Sequence, residues 1–565
     1  MTPAWPGMTL AQAHARLTAP GAPFETVAAV VRGVPMRVWK HVPATAAEAF
    51  AAVRNFGPRE FLVLGSERVT YDAFARAVLA LSATMRAQGL RKGDRVALVM
   101  RNLPEWPVVF MAGLLAGAIM VPLNAWWTAP ELAYGIQDAG ARFVFADAER
   151  LSRLADMPPA VEHVFVARAA GSPPGVTVLE DVIGTPGHWG DLPDGTIADV
   201  VLSPEDDATI FYTSGTSGAP KGALGTHRSL TTNIFAAPFS LVRNAVRQGE
   251  AMPDPATAPQ RTTLLAVPFF HVIGSLSVML PTMAAGGKLV LMHRFEAEAA
   301  LRLIECEKVT VTGGVPAIML ALLEHPRLAK FDLSSLRLAT YGGAPPPVDL
   351  PARIAAAFPN AICGHGWGMT ETSATCTTHS GPDYVNRPES CGPALPVSRI
   401  RVMVEDREAT PGEVGELWAF GPNIVKGYWN RPDATAGHFR DGWMKTGDLA
   451  SIDEEGFCTI EGRATDMVIR GGANIYCTEV EKVLARHPAV ADAALVGLPH
   501  PLLGEVPAAL VQARAPVSQQ ALQDFAGRYL AAYKVPVRIL VSPEPLARNE
   551  GGKLVRRELA RAFEA

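Results

Sequence analysis

Residues 208–222 read ATIFYTSGTSGAPKG, and this stretch carries the strongest chemical signal in the chain. Its first four residues are typical of a buried strand. The next eleven, Tyr212–Gly222, hold three glycines, four Ser or Thr hydroxyls and one lysine. Glycine frees the backbone to curl so that successive N–H groups converge on one anion, and Lys221 adds positive charge. The pattern predicts a polyphosphate-binding loop at a strand end. It is not a Walker loop, and a polar surface loop is the alternative interpretation.

Apolar runs on either side of this loop alternate with helical patterns. The runs are FLVLG at 61–65, RVALVM at 95–100, RFVFAD at 142–147 and KLVLM at 288–292. Thr70 is a suitable N-cap for an amphipathic helix that ends near Gly89. Strands that alternate with helices predict an α/β fold with mainly parallel sheets flanked by helices. Residues 236–261 are rich in Ala and Pro and suggest a surface loop or a partly helical insertion.

The last third of the chain has a different pattern. Short strands between Gly and Asp turns predict a small β-subdomain over about 396–465. A boundary at Asp466 then separates a large domain, 1–465, with its α/β subdomains over about 50–395, from a small mobile α+β domain, 466–565. In the small domain, Thr478 and Glu481 fit a capping box that opens a helix.

Composition excludes several classes of protein. The 565 residues are 48% apolar and 19% charged, with a net charge of −4 and a pI near 6.4. These values argue against a disordered chain and against a protein that coats nucleic acid. The six cysteines form no CxxC pair, so we expect reduced thiols in a cytoplasmic protein. The start of the chain lacks a signal-peptide pattern, and the apolar run 108–121 is too short to span a bilayer and predicts a buried helix.

Five further motifs follow the loop in order. They are YGGAPPP at 341–347, GHGWGMTET at 364–372, WMKTGDLA at 443–450, GRATDMVIRGGANIYCTEVE at 462–481 and LARNEGGKLVRREL at 546–559. With the loop at 212–222, this set resembles the adenylate-forming superfamily of acyl-CoA synthetases, peptide-synthetase adenylation domains and firefly luciferase. The resemblance covers about residues 50–560.

The resemblance implies a site for ATP and Mg²⁺ in the large domain. Glu371 and Thr216 would hold Mg²⁺, Thr370 would contact the α-phosphate, and Asp448 and Arg463 would bind the ribose. Trp367 stands where many relatives carry Tyr, and its larger ring would still stack on adenine. The remaining nucleotide contacts would come from the following residues: Thr213, Ser214, Gly215, Ser217, Gly218, Lys221, Gly343, Ala344, Pro345, His365, Gly366, Gly368 and Met369.

The same resemblance assigns the acid, CoA and hinge positions. Lys553 would reach the acyl carboxylate and the α-phosphate during adenylation, and His271 would lie beside that carboxylate. Asp466 would be a hinge, and Gly471 and Gly472 would approach CoA. Gly314, Val315 and Gly342 would line the acyl pocket. Two departures from the family pattern are Cys477, where Pro is common and a buried structural thiol is expected, and Arg548-Asn549 before Lys553.

These assignments imply an acyl-CoA synthetase that acts in two steps on a hydrophobic carboxylic acid. Small and apolar pocket positions favour a medium or long fatty acid, or a bulky aryl or alicyclic acid. Three alternatives remain: an adenylating enzyme that loads a carrier protein, an oxygenase of the luciferase kind, and a non-catalytic ATP- or acyl-binding regulator. The expected partners are the acid, ATP and CoA, with no nucleic acid and no transmembrane segment, and relatives occur as monomers and homodimers.

Overall fold

The computed structural model describes residues 5–154, 158–171, 173–213, 220–252, 258–463, 467–470, 473–548 and 554–563. The chain divides into two compact units. Unit 1 comprises Met1–Arg399 and Ala419–Met444, and unit 2 comprises Ile400–Trp418 and Lys445–Ala565. The α/β fold class predicted from the sequence is confirmed. The boundary predicted at Asp466 falls outside the described residues and stays a prediction.

One large sheet of unit 1 carries the strand that leads into the glycine-rich loop. Neighbouring strands of this sheet pair in parallel, except for the two strands on either side of that loop, which form an antiparallel hairpin at one edge of the sheet. In spatial order the strands are β11 (Lys221–Thr226), β10 (Asp207–Thr213), β6 (Ile119–Pro122), β5 (Arg95–Val99), β7 (Phe143–Asp147), β8 (His163–Ala167) and β9 (Thr177–Val178).

A second sheet of unit 1 has antiparallel strands only at its two edges. The inner strands pair in parallel, so their carboxyl ends meet at one edge of the sheet. In spatial order the strands are β17 (Ala374–Ser380), β16 (Ile362–Met369), β15 (Leu338–Gly342), β14 (Val311–Gly314), β12 (Thr262–Leu265), β13 (Lys288–Leu291), β3 (Glu60–Leu64) and β4 (Glu67–Thr70).

Helices cover these sheets, and both sheets contribute to one core. Thr70 caps the helix after β4, as predicted, because its hydroxyl accepts from the Ala73 N–H. The helices of unit 1 are α1 (Leu10–Thr18), α2 (Ala46–Val53), α3 (Tyr71–Ala87), α4 (Glu105–Leu115), α5 (Ala129–Ala139), α6 (Ala148–Leu151), α7 (Leu179–Ile183), α8 (His227–Thr232), α9 (Ala236–Arg247), α10 (Leu280–Ala284), α11 (Ala297–Cys306), α12 (Pro316–Leu323), α13 (Leu350–Ala357), α14 (Pro382–Val385) and α15 (Pro432–His438).

Two stretches can be compared directly with their predictions. The run 108–121 is half helix and half strand, because α4 ends at Leu115, Gly117 has a φ of 83°, and β6 follows. Helix α4 is buried on all sides, as its composition predicts. Of the two predicted alternatives for 236–261, a surface loop and a partly helical insertion, the structure shows the helix: residues 236–247 form α9, which buries Phe239, Arg243 and Arg247. No described helix is long and apolar enough to cross a membrane.

Unit 1 also has a short hairpin near its N-terminus. Strands β1 (Thr26–Val31) and β2 (Val34–Trp39) pair antiparallel, and Val31, Met36 and Val38 pack against Phe420. The remaining short strands of this unit are β18 (Ser390–Gly392) and β22 (Phe439–Arg440).

Unit 2 contains two sets of strands. One runs in the order β24 (Cys458–Arg463), β23 (Trp443–Ile452), β21 (Gly415–Phe420), β19 (Arg399–Val404) and β20 (Arg407–Glu408), as the sequence predicts for the β-subdomain. The other contains β26 (Ala473–Tyr476), β25 (Met467–Arg470), β28 (Gly504–Ala513), β27 (Val490–His500) and β29 (Arg538–Ser542). Its helices are α16 (Cys477–Ala485), α17 (Gln519–Ala526) and α18 (Arg556–Arg561).

The capping box predicted at Thr478 is wrong. Helix α16 begins one residue earlier, at Cys477, and its N-cap residue, Tyr476, makes no side-chain cap. The Glu481 carboxylate instead accepts the Leu495 N–H at 2.7 Å and pairs with Arg556. Cys477 is buried, as expected for a structural thiol.

Candidate active site

Segments that the sequence assigns to one site do follow the carboxyl ends of neighbouring parallel strands. Strands β12, β14, β15 and β16 are adjacent, with Gly314 paired to Tyr341 and Gly342 paired to Gly366. The chain beyond these positions carries His271, Val315, Gly343 and Trp367. In open α/β sheets this edge is where ligands bind.

The apolar side of this edge is narrow because glycine allows close approach. A Cβ added at Gly343, which has a φ of 78°, would lie 3.0 Å from Ile273 Cδ1 and 3.9 Å from Val315 Cγ1. Ile273, two residues after His271, begins a π-helical stretch, Ile273–Met279. Such stretches are frequent at functional sites. The ring of His271 lies 4.8 Å from that of Phe270 and 6.4 Å from that of Trp126.

Asn102 fixes the segment that leads to His271. Its side chain is buried, donates to the carbonyl oxygens of Val267 and Met292, and accepts the Phe269 N–H at 2.9 Å. Three hydrogen bonds from one buried amide hold this backbone at the sheet edge.

Glu371 lies in a tight turn between β16 and β17. The residue is 5% exposed, and its Oε1 accepts a hydrogen bond of 2.8 Å from the Tyr428 hydroxyl. Burial, and then the nearby Glu371 carboxylate, raise the pKa of Tyr428 far above its usual range. Tyr428 therefore stays protonated and donates to the carboxylate at any working pH.

A backbone ladder brings Tyr428 to this place. Residues 424–429 run beside β11: the Leu224 N–H donates to the Gly427 carbonyl and the Trp429 N–H to the Gly222 carbonyl. Lys221 Nζ consequently lies 5.3 Å from the centre of the Tyr428 ring. Lys221 and Glu371, which the sequence assigns to phosphate and metal, thus share Tyr428 as a neighbour. The sequence analysis did not find Tyr428; the only local signal is the aromatic pair in GYWN at 427–430.

Both ends of the glycine-rich loop are tied to helix α5. The Tyr212 hydroxyl donates to Asp138 Oδ2 at 2.7 Å, and the Tyr134 hydroxyl donates to the Pro220 carbonyl at 3.0 Å. Arg431 binds Asp138 Oδ1 and the Tyr134 hydroxyl. Thr213 pairs with Lys221 at the base of the hairpin. The other predicted loop contacts, Ser214, Gly215, Thr216, Ser217 and Gly218, lie outside the described residues.

His365 is neutral inside β16. Burial lowers its pKa to about 4, and its Nδ1 lies 3.1 Å from the Tyr341 carbonyl oxygen. Because the partner is a carbonyl, Nδ1 carries the proton and donates. Trp367, Gly368, Met369 and Thr370 are half-buried along the same edge, as are Ala344 and Gly366, and Pro345 is exposed.

In unit 2, two of the residues predicted to bind the nucleotide form an ion pair. Asp448 on β23 is opposite Arg463 on β24, and Arg463 Nε lies 3.1 Å from Asp448 Oδ1. The Asp448 side chain is almost fully buried. Asp466, Gly471, Gly472 and Lys553 lie outside the described residues, so their roles stay predictions.

The residues near Glu371 fit a magnesium ion that takes most of its ligands from the phosphates of the substrate and from water. Among the described residues no group of three His, Cys, Asp or Glu side chains could hold a metal ion. Mg²⁺ commonly uses one or two carboxylates together with substrate phosphates and water. Glu371, with one oxygen engaged by Tyr428, offers one such carboxylate.

Comparison with known proteins identifies the family of the chain. The family model for the AMP-binding enzyme matches residues 49–429, and the model for the AMP-binding enzyme C-terminal domain matches residues 479–553. A feruloyl-CoA synthase from an Amycolatopsis species is 34% identical over 505 residues, covering 88% of this chain and 95% of that protein. A long-chain-fatty-acid–CoA ligase, FadD13, from Mycobacterium tuberculosis is 32% identical over 88% of this chain and 94% of that protein.

Solved structures share the fold over almost the whole chain. ATP-bound MatB from Rhodopseudomonas palustris has a TM-score of 0.78 at 29% identity, covering 92% of this chain and 99% of MatB. The o-succinylbenzoate CoA synthetase MenE from Bacillus subtilis, in complex with an acyl-adenylate, has a TM-score of 0.73 at 28% identity, covering 90% of this chain and 97% of MenE. The chain therefore belongs to the AMP-binding enzyme family of the adenylate-forming superfamily, and its class is that of the AMP-forming acid–thiol ligases.

Proposed function

We propose that this chain activates a hydrophobic carboxylic acid with ATP and transfers the acyl group to CoA. The observation that carries the proposal is that Glu371, in the turn after β16, and Lys221, at the start of β11, lie against the same Tyr428. The apolar side chains of Ile273 and Val315 lie beside Gly343, directly after β15. One part is suited to a polyphosphate and its cation, and the other to an apolar acid.

In the first step a carboxylate oxygen attacks the α-phosphorus of ATP. The bond to pyrophosphate breaks, and an acyl-adenylate forms. Because two anions must meet, catalysis depends on positioning and charge neutralisation. Lys221 supplies positive charge from the base of the loop, and Lys553 is proposed to reach the acid and the α-phosphate. Glu371 would hold a Mg²⁺ ion, which would supply positive charge to neutralise the phosphates.

In the second step a thiol sulfur attacks the acyl carbon, and the bond between that carbon and the phosphate oxygen of AMP breaks. We propose CoA as the thiol, since the aligned relatives are CoA ligases and CoA synthases. Asp466 is proposed as the hinge between the steps, and Gly471 and Gly472 as the backbone that approaches CoA.

The acid is proposed to be aryl or long-chain aliphatic. Two observations support it. The residues predicted to line the acyl pocket, Gly314, Val315 and Gly342, are small or apolar, and two relatives are a feruloyl-CoA synthase and a long-chain-fatty-acid–CoA ligase. No carboxylate follows His271 in FFHVIGS to pair with an ammonium group, which disfavours a free amino acid.

The test is ATP-dependent pyrophosphate release over a panel of acids, with and without CoA. The panel contains acetate, C6–C18 fatty acids and hydroxycinnamic, arylpropionic and alicyclic acids. We expect CoA-stimulated turnover with AMP formation for one hydrophobic class and none for acetate. Glu371→Gln should reduce turnover by about 100-fold or more, whereas the exposed Glu250→Gln should have no effect.

Two results would replace this proposal. Adenylate formation that CoA does not stimulate, but that a phosphopantetheinyl carrier protein does, would identify a carrier-loading enzyme. ATP binding without pyrophosphate release for any acid would identify a non-catalytic regulator.

A further inference from the structure

The hairpin of β1 and β2 ends in an unusual turn. Val31 pairs with Val34, so Arg32 and Gly33 alone form the loop, and both have positive φ angles of 51° and 79°. Two-residue hairpin loops of this kind favour Asn or Gly at both positions. Arginine rarely adopts a positive φ, and such strain persists only where surrounding contacts determine it.

The Arg32 side chain makes the contacts that oppose this strain. Its Nη2 donates to the Ile424 carbonyl at 2.8 Å, and its Nε lies 4.0 Å from Glu205 Oε2. That carboxylate oxygen is buried and has no hydrogen-bond partner among the described residues. The Arg32 side chain is only 25% exposed although the residue is at a hairpin tip.

Ile424 lies within the segment that supports Glu371. The preceding Asn423 side chain donates to the Thr372 carbonyl at 3.1 Å, and the following Val425 N–H donates to the Glu371 carbonyl at 3.0 Å. The hydroxyl of Tyr428, four residues after Ile424, donates to the Glu371 carboxylate. A displacement of Ile424 would therefore move the backbone and the side-chain partner of Glu371 together.

We propose that Arg32 is a positioning residue for the Glu371 site, acting through the Ile424 carbonyl. The hairpin precedes residue 49, where the match to the family model begins. The inference rests on the proposed function in one respect, namely that Glu371 binds Mg²⁺ at the ATP site. The placement itself can be measured without substrate.

Two substitutions at Arg32 separate positioning from folding. Arg32→Asn removes the guanidinium and suits a positive φ, so the hairpin should be as stable as before or more stable. Arg32→Lys keeps the charge and one donor. The control is Arg37→Ala, because Arg37 lies in the same hairpin but its hydrogen bonds, to Thr26, stay within that hairpin.

The first readout is hydrogen exchange of peptides that cover 421–430 in the substrate-free protein. The Val425 amide is protected by the Glu371 carbonyl, so Arg32→Asn should speed exchange there by about fivefold or more, with an unchanged melting temperature. Arg37→Ala should leave this peptide unchanged.

The second readout is the Mg²⁺ dependence of pyrophosphate release with the best acid. Arg32→Asn should raise the Mg²⁺ concentration for half-maximal rate and lower kcat by about tenfold, the rate equivalent of one hydrogen bond to a charged group. Arg32→Lys should restore part of both values, and the KM for the acid should change little.

Three exchange results decide the role of Arg32. Wild-type exchange at 421–430 in Arg32→Asn overturns the proposal, and so does an equal effect in Arg37→Ala, which would assign the effect to the hairpin as a whole. Faster exchange in Arg32→Asn but not in Arg37→Ala supports it. If none of the acids in the panel causes the wild-type protein to release pyrophosphate, the proposed function fails. The exchange result still decides the role of Arg32.

Discussion

Asp138 holds the strand before the glycine-rich loop, and its removal should weaken both folding and ATP binding. One carboxylate oxygen accepts from the Tyr212 hydroxyl at 2.7 Å, and the other lies 2.8 Å from Arg431 Nη2. The Asp138 side chain is 11% exposed and that of Arg431 is 38% exposed. Asp138→Ala removes both interactions and leaves the half-buried Tyr212 hydroxyl without its acceptor.

The expected loss of stability follows from these exposures. A buried hydrogen bond to a charged group contributes about 1.5–3 kcal/mol. The pair with Arg431 is partly solvated and adds about 0.2–1 kcal/mol. Asp138→Ala should therefore lower the free energy of unfolding by about 2–4 kcal/mol. Asp138→Asn keeps an acceptor for Tyr212 and should lose about half as much.

Urea unfolding followed by tryptophan fluorescence measures this loss, with the exposed Asp199→Ala as the control. Trp429 reports on the region, since its indole N–H donates to the Asp138 carbonyl. The KM for ATP should rise more than the KM for the acid, because Tyr212 adjoins the predicted phosphate loop. A stability change below about 0.5 kcal/mol, or an unchanged KM for ATP, would refute the reasoning.

Two further predictions concern a buried histidine and the C-terminal domain. Burial lowers the pKa of His365 to about 4, so its contribution to stability is complete above about pH 6.5 and falls by about 2 kcal/mol between pH 7 and 5. His365→Asn, which can still donate to the Tyr341 carbonyl, should reduce the fall in urea-unfolding stability over that range, and an unchanged slope would contradict this. Part of the fall should remain, because burial also lowers the pKa values of His14, His227 and His379. Lys553→Ala should abolish adenylation but spare thioester formation from supplied acyl-adenylate; equal loss of both half-reactions would contradict the division of labour.

Local patterns predicted much of the fold. Thr70 caps α3, and the apolar runs at 61–65, 95–100, 142–147 and 288–292 all contain strands, because cap chemistry and strand patterns depend on a few adjacent residues. The capping box at Thr478 failed for a tertiary reason. The Glu481 carboxylate accepts the Leu495 N–H and forms an ion pair with Arg556, so it does not cap the helix.

The partners of the site residues could not be predicted from local sequence. Glu371 and Tyr428 are 57 positions apart, and Asp138 and Arg431 are 293 apart. Glu371 lies in a motif, whereas Tyr428, Asp138 and Arg431 lie in segments without a chemical signature of their own. What brings them together is the course of residues 424–429 beside β11, which only the assembled sheets define.

The glycines of the site motifs are required by the packing of the strands themselves, whether or not a ligand is bound. A Cβ added at Gly368 would lie 1.6 Å from the Ala374 carbonyl oxygen, and one at Gly366 would lie 2.7 Å from that of Thr377. Both clashes are with the backbone of the neighbouring strand and could not be relieved by a side-chain movement. These glycines therefore let β16 and β17 close around the Glu371 turn, where Ala374 itself has a φ of 91°. The motif prepares the position of Glu371 before a nucleotide arrives, so an alanine at Gly368 should disturb the turn even in the unliganded protein.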